Sequence, residues 1–230
     1  MEKLPQIVNS ATIMTFLGGG AVDRADLNHA LGLAPVLVAA DGGANFAFEW
    51  SILPHVVVGD LDSVDRASAK DLGVPLVFID DQNSNDLQKC LAITPSEVVL
   101  GVGFLGGRLD HELAAIATLS KTRDRAIVLV GADDVVFRVP SEITLELQEG
   151  SRVSLFPMSD VEARSDGLKW ALDELPFRPN GQIGCSNEAL GGQSTVRILS
   201  GDMVMILPKI YLNDAVNALS RAHGFSTRVG

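Results

Sequence analysis

Residues 36–45 read Val36-Leu37-Val38-Ala39-Ala40-Asp41-Gly42-Gly43-Ala44-Asn45. Five consecutive apolar residues run into Asp-Gly-Gly, and helix-forming residues follow. Such a run is a strand buried on both faces that ends in a tight loop and hands over to a helix. The signature recurs on either side. Ala11–Leu17 ends at Gly18-Gly19-Gly20, His55–Val58 at Gly59-Asp60-Leu61-Asp62-Ser63, and Pro75–Ile79 at Asp80-Asp81-Gln82. Val98–Val102 ends in Gly103 and leads through Gly106-Gly107-Arg108 to Asp110-His111, and Ala126–Val130 is a sixth run. Amphipathic stretches lie between them: Asp23–Leu31, Ala44–Ser51, Asp65–Leu72, Ser84–Ile93 and Leu109–Lys121. Strand then helix, five times over, predicts an α/β fold: a Rossmann-like parallel sheet with helices on both faces.

The pattern changes after Pro140. Ile143–Leu147, Arg152–Phe156, Val161–Ala163, Ser194–Leu199 and Asp202–Leu207 are short and mostly alternating, with turn residues between them. They predict a C-terminal antiparallel β-sandwich. Leu212–Ala222 has helical spacing and stops before Gly224. The expected division is therefore residues 1–139 for the α/β domain and 140–230 for the antiparallel domain.

Lys and Arg number 18 against 29 Asp and Glu, a net charge of −11, which disfavours nucleic acid and anionic membrane surfaces as partners. Only two cysteines are present, Cys90 and Cys185, so neither a disulfide framework nor a cysteine-based zinc site is expected. Met1–Ser10 lacks an apolar targeting core, and the apolar runs are strand-sized. A cytoplasmic protein is the expectation.

Ligands of open parallel sheets bind beyond the carboxyl ends of the strands, where the conspicuous polar residues fall. Asp60 and Asp62 stand two apart in an extended loop and so point the same way. One such Asp is ordinary turn chemistry, but Asp60, Asp62, Asp86 and Asp110 share one rim. Oxygen-only ligands favour Mg²⁺. Gly42-Gly43 and Gly106-Gly107 each precede a helix, where backbone N–H groups hold phosphate oxygens. Arg108 offers a planar fork to the same group. Lys89 follows Asp86 by three residues on one helix face, suited either to phosphate charge or to an ion pair. Gly101, Gly103 and Gly106 also match G-x-G-x-x-G, the mark of a dinucleotide-binding oxidoreductase, although at the fifth strand rather than the first.

Taken in order, Ala40–Asn45, Val58–Ser63, Asn85–Cys90, Gly106–His111, Gly167–Leu172 and Cys185–Glu188 resemble the motifs of the thiamin pyrophosphokinase family. The resemblance spans nearly the whole chain. It implies transfer of the terminal diphosphate of ATP to the hydroxyl of thiamin, releasing AMP, with Mg²⁺ as cofactor. It also implies a homodimer whose sites combine the α/β domain of one subunit with the β domain of the other. Carried onto this chain, Asp60, Asp62 and Asp86 become metal ligands, with Asp110, Lys89 and Arg108 joining them in catalysis. Asp41, Gly42, Gly43, Asn45, Gly106, Gly107 and Arg108 fall on the nucleotide side, and Trp170, Ser186 and Asn187 on the thiamin side.

One motif departs from the family pattern. Where the family usually has Asp after Gln and Thr before Asp, this chain reads Gln82-Asn83-Ser84-Asn85-Asp86. A carboxylate and a hydroxyl are replaced by amides. This admits two further readings: a kinase or pyrophosphokinase for another heterocyclic alcohol, and a non-catalytic nucleotide or thiamin sensor.

Overall fold

The computed structural model describes residues 5–222. Gly224, the expected stop of the last helix, lies outside them. The chain forms two compact units, one of residues up to Thr118 with Leu129–Ala132, the other of Leu119–Val128 with the residues from Asp133 onward.

In the first unit the elements alternate as the sequence predicts, after a short leading helix. In order they are α1 (Gln6–Ser10), β1 (Ile13–Leu17), α2 (Arg24–Leu33), β2 (Val36–Ala40), α3 (Gly43–Glu49), β3 (Val56–Gly59), α4 (Arg66–Asp71), β4 (Leu76–Phe78), α5 (Asp86–Ile93) and β5 (Val98–Val102). The helix α6 (Leu109–Lys121) and the strand β6 (Ala126–Val130) follow, and both straddle the division between the units. Strands β5, β1, β2, β3 and β4 lie side by side in that order, all parallel. Every residue of β2, β3 and β5 is buried, so their unbroken apolar runs reflect a sheet covered on both faces. The chain steps outward from β1 to β4 and then returns to the other side of β1. That reversal is the switch point at which open sheets bind ligands.

Caps close the helices at this rim. Asp23 and Asp65 accept from the first-turn N–H groups of α2 and α4. Asn85 and Gln88 form a reciprocal capping box at α5. Ala44 and Phe48 of α3 pack against Ala39, Val57 and Leu61, which fixes the helix over the ends of β2 and β3.

The second unit contains β7 (Asp134–Arg138), β8 (Glu142–Leu147), β9 (Arg152–Pro157), β10 (Glu162–Asp166), β11 (Gly184–Glu188), β12 (Gly192–Ser200) and β13 (Met203–Pro208). A helix, α7 (Leu212–Ala222), ends the described part. Strands β11, β9, β13 and β7 pair antiparallel in that order, and β10, β12 and β8 form a second antiparallel set. Two of these strands were not read from the sequence. In β7, Val135, Val136 and Phe137 are buried in succession, so no alternation shows. In β11, Gly-Cys-Ser-Asn-Glu has no apolar period, because its backbone pairs while only Asn187 among its side chains is buried.

The glycines at the switch point join two loops. Gly18 N–H donates to Val102 O at 2.8 Å, Gly20 N–H to Gly103 O at 2.8 Å and Ala21 N–H to Gly106 O at 2.5 Å. Gly103 sits at φ +77°, and a Cβ there would lie 2.5 Å from Gly18 O. The G-x-G-x-x-G spacing thus serves close packing of the β1 and β5 loops. Gly103→Ala is expected to cost about 1–3 kcal/mol through strain and overpacking. Gly32, in α2, has nothing within 4 Å of a Cβ, so Gly32→Ala is expected to add ~0.5–1 kcal/mol. Thermal unfolding of the two variants checks both signs.

Candidate active site

A cleft of about 1010 Å³ opens beyond the carboxyl ends of the parallel strands. Asp41, Gly42 and Asn45 line it from the β2 loop, Asp60 from the β3 loop, Asp86 and Lys89 from α5, and Gly106, Gly107, Arg108 and Asp110 from the β5 loop. Residues as far apart as Gly19 and Ala115 therefore meet, because parallel strands bring all their carboxyl ends to one edge.

The carboxylates divide into three settings. Oxygen atoms of Asp41, Asp60 and Asp62 lie within 4.8 Å of one another. Asp41 is buried at φ +43°, and its carboxylate accepts the Ser63 N–H at 3.2 Å and 3.4 Å. The Ser63 hydroxyl donates to Asp62 Oδ1 at 2.7 Å. Burial raises the pKa of Asp41, and the neighbouring Asp62 raises it further. Asp62 is drawn down, first by the Ser63 hydroxyl and then by Asp41. An oxygen-only cluster that holds negative charge against its own repulsion matches the donor set of a hard divalent cation.

Asp86 stands apart from that trio. Lys89 Nζ donates to Asp60 Oδ2 at 2.8 Å and lies 3.6 Å from Asp86 Oδ1. Lys89 is buried. Burial works to lower its pKa, but the Asp60 hydrogen bond and the Asp86 and Asp60 charges prevail and raise it. Its ammonium is therefore fixed as a cation between two of the expected metal ligands. The third setting is exposed: Arg108 holds Asp110 through two hydrogen bonds of 3.1 Å and 2.6 Å. The Arg108 guanidinium keeps the Asp110 carboxyl below the usual range.

Several expected contacts are engaged within the protein. Asn45 Nδ2 donates to Ser63 O at 2.9 Å, and its Oδ1 accepts the Asp65 N–H at 2.8 Å. Its amide clamps the β3 loop to α3. Gly43 does not line the cleft; a Cβ there would sit 2.3 Å from Leu17 O, so this glycine lets α3 pack against the end of β1. Ser63, which ties Asp41 to Asp62, was missed by the sequence reading. Its signal was its place directly after Asp62 in an Asp-Leu-Asp loop.

The unusual third motif has a structural use. Asn85 caps α5, and its Nδ2 also donates to Ala114 O at 3.2 Å and Thr118 Oγ1 at 3.0 Å. The amide thus does a hydroxyl's capping work and adds a tie to α6. Asn83 lines the cleft, and its N–H donates to Asp81 Oδ1 at 2.9 Å.

In the second unit, Trp170 and Asn187 line a hollow of about 230 Å³. Ser186 lies beside it on β11, at φ +59°, with its N–H donating to Ser154 Oγ at 3.0 Å. Lys169 Nζ stands 4.9 Å from the Trp170 ring centroid and bonds both Glu188 carboxylate oxygens at 3.2 Å.

Residues 27–130 match the thiamin pyrophosphokinase catalytic domain, and residues 140–204 match the thiamin pyrophosphokinase vitamin B1 binding domain. Thiamine pyrophosphokinase 1 of Oryza sativa subsp. japonica is 32% identical over 203 residues, covering 73% of this chain and 76% of the relative. Thiamin pyrophosphokinase 1 of Caenorhabditis elegans is 26% identical over 68% of this chain and 72% of the relative. Among solved structures, thiamin pyrophosphokinase from Candida albicans shares the fold with a TM-score of 0.74 at 17% identity, over 89% of this chain and 91% of that one. That from Geobacillus thermodenitrificans does so at 0.73 and 24% identity, over 85% and 97%. By both halves of its sequence, the chain belongs to the thiamin pyrophosphokinase family.

Proposed function

We propose that this protein is an ATP-dependent diphosphotransferase that converts thiamin to thiamin diphosphate. The observation that carries the reading is the cleft of the first unit. Paired glycines, a lysine, an arginine and five acidic residues of the family motifs meet at or beside one strand edge. We take residues 1–139 as the catalytic part and 140–230 as the thiamin-binding part, in keeping with the two family matches. A homodimer with composite sites, in the cytoplasm, completes the proposal. The resemblance supports the dimer. The small number of cysteines suits a reducing compartment, and no helix among the described residues is long and apolar enough to cross a membrane.

In the reaction the thiamin hydroxyl oxygen bonds to the β-phosphorus of ATP. The bond from that phosphorus to the α,β-bridging oxygen breaks, and AMP leaves. The protein's task is positioning and charge compensation rather than covalent chemistry. Asp60 and Asp62, with Asp41 beside them, would hold Mg²⁺, and Asp86 would join from α5. When bound, the cation neutralises phosphate charge. Gly106, Gly107 and Arg108 present N–H donors to the diphosphate. Lys89 keeps Asp60 and Asp86 apart from mutual repulsion and aims them into the cleft. Asp110, held ionised by Arg108, is a weak base.

Asp60→Asn or Asp62→Asn is expected to lower turnover at least ~100-fold with an unchanged circular dichroism spectrum. Wild-type rates of AMP formation in either variant would refute the metal assignment. EDTA is expected to abolish AMP and thiamin diphosphate together, and excess Mg²⁺ to restore them in equal amounts. Thiamin binding without AMP formation would instead mark a sensor. AMP formed only with other alcohols would mark a different acceptor.

A further inference from the structure

Asn187 was expected on the thiamin side. Backbone groups bind both ends of its side-chain amide. Residues 167–169 run antiparallel beside 188–190: Leu190 N–H donates to Gly167 O at 3.0 Å, Leu168 bridges Ala189, and Lys169 N–H donates to Glu188 O at 2.8 Å. At the next position the ladder changes character. Trp170 N–H donates to the side-chain Oδ1 of Asn187 at 3.1 Å, and Asn187 Nδ2 donates to Trp170 O at 2.6 Å. The amide of one side chain takes the place of a strand's peptide group.

The cause lies in β11. Its register against β9 shifts between Gly184 and Asn187, with Ser186 at positive φ. The Asn187 backbone pairs with β9 opposite Val153, and its side chain is left to reach Trp170. Asn187 is only 5% exposed, and its Oδ1 also accepts the Glu188 N–H at 2.8 Å. Both ends of the amide are thus engaged by backbone. The Trp170 side, by contrast, is 54% exposed. Beyond it the chain is tied again at Leu172, whose N–H donates to Ser165 Oγ at 3.1 Å and whose side chain is buried, and at Asp173, whose carboxylate accepts the Ser165 N–H at 3.5 Å.

We infer that Asn187 is a positioning residue for thiamin that acts through Trp170, fixing the peptide groups on either side of the indole while making no contact with the substrate itself. The inference rests on the proposed function, in which the indole face packs against a flat or cationic ring of thiamin. An exposed indole on a loose loop would lose part of that packing to the cost of ordering it. The Leu172 anchor keeps the rest of the segment in place, so removal of the amide frees the indole without unfolding the unit.

Trp50 and Trp170 are the two tryptophans of the chain, so Trp50→Phe makes Trp170 a lone fluorescent reporter. In that background, without ligand, Asn187→Ala is expected to lower Trp170 anisotropy and raise its quenching by acrylamide. Asn187→Asp, which keeps the Oδ1 acceptor, is expected to fall between the two. Thiamin affinity by calorimetry is expected to weaken about five- to tenfold in Asn187→Ala, with the KM for ATP unchanged. A double-mutant cycle separates the roles. Trp170→Ala with Asn187→Ala is expected to bind thiamin as Trp170→Ala does, within twofold. A further loss in the double variant would place Asn187 on the substrate and overturn the inference. Unaltered Trp170 anisotropy in Asn187→Ala would overturn it as well. If the parent protein fails to bind thiamin, the proposed function is at fault, and the fluorescence arm still reports whether Asn187 holds the indole.

Discussion

Like charges brought together at the edge of a sheet repel one another, and the cleft of the first unit is organised around that repulsion. Asp41, Asp60 and Asp62 lie within 4.8 Å at their oxygen atoms. In water such a group would spread apart or take up a proton. Here Ser63 bonds two of the three, and the buried ammonium of Lys89 compensates the third. Burial and the Asp62 charge still leave Asp41 with a raised pKa.

The geometry that assembles this cluster is a property of the whole parallel sheet. Every β-to-α loop emerges at the same edge, and the return of the chain from β4 to β5 places the first and fifth loops beside each other. Backbone hydrogen bonds from Gly18, Gly20 and Ala21 then stitch those loops together, which holds Gly106, Gly107 and Arg108 at the cleft. Asn45 does the corresponding work between the second and third loops. In both places polar groups at the cleft also hold neighbouring loops in position. Asn187, with both ends of its amide on backbone, follows the same logic in the second unit.

The departures in the third motif show why composition alone misleads. As letters, Asn83 and Asn85 are losses of a carboxylate and a hydroxyl. In the folded chain Asn85 caps α5 through its Oδ1 and binds α6 through its Nδ2. A side-chain amide both accepts and donates, and which of these is used is invisible until the neighbouring helix is in place. The same limit hid β7 and β11. One is too apolar to alternate and the other too polar, and each is a strand because partners on β13 and β9 receive its backbone.

The order of apolar runs and glycine-rich turns in this chain was enough to establish a parallel α/β region followed by an antiparallel one, because hydrophobic period and turn chemistry are local. It was also enough to mark which loops carry the acidic residues, since strand ends are where glycine and aspartate interrupt burial. Distances between those loops are not local quantities. That Asp41 joins Asp60 and Asp62 while Lys89 stands between Asp60 and Asp86, that Asn45 faces Ser63, and that Asn187 faces Trp170 all follow from strand order, helix packing and a register shift in β11. Those features arise from burial across the fold, where residues far apart in the chain exclude the same water.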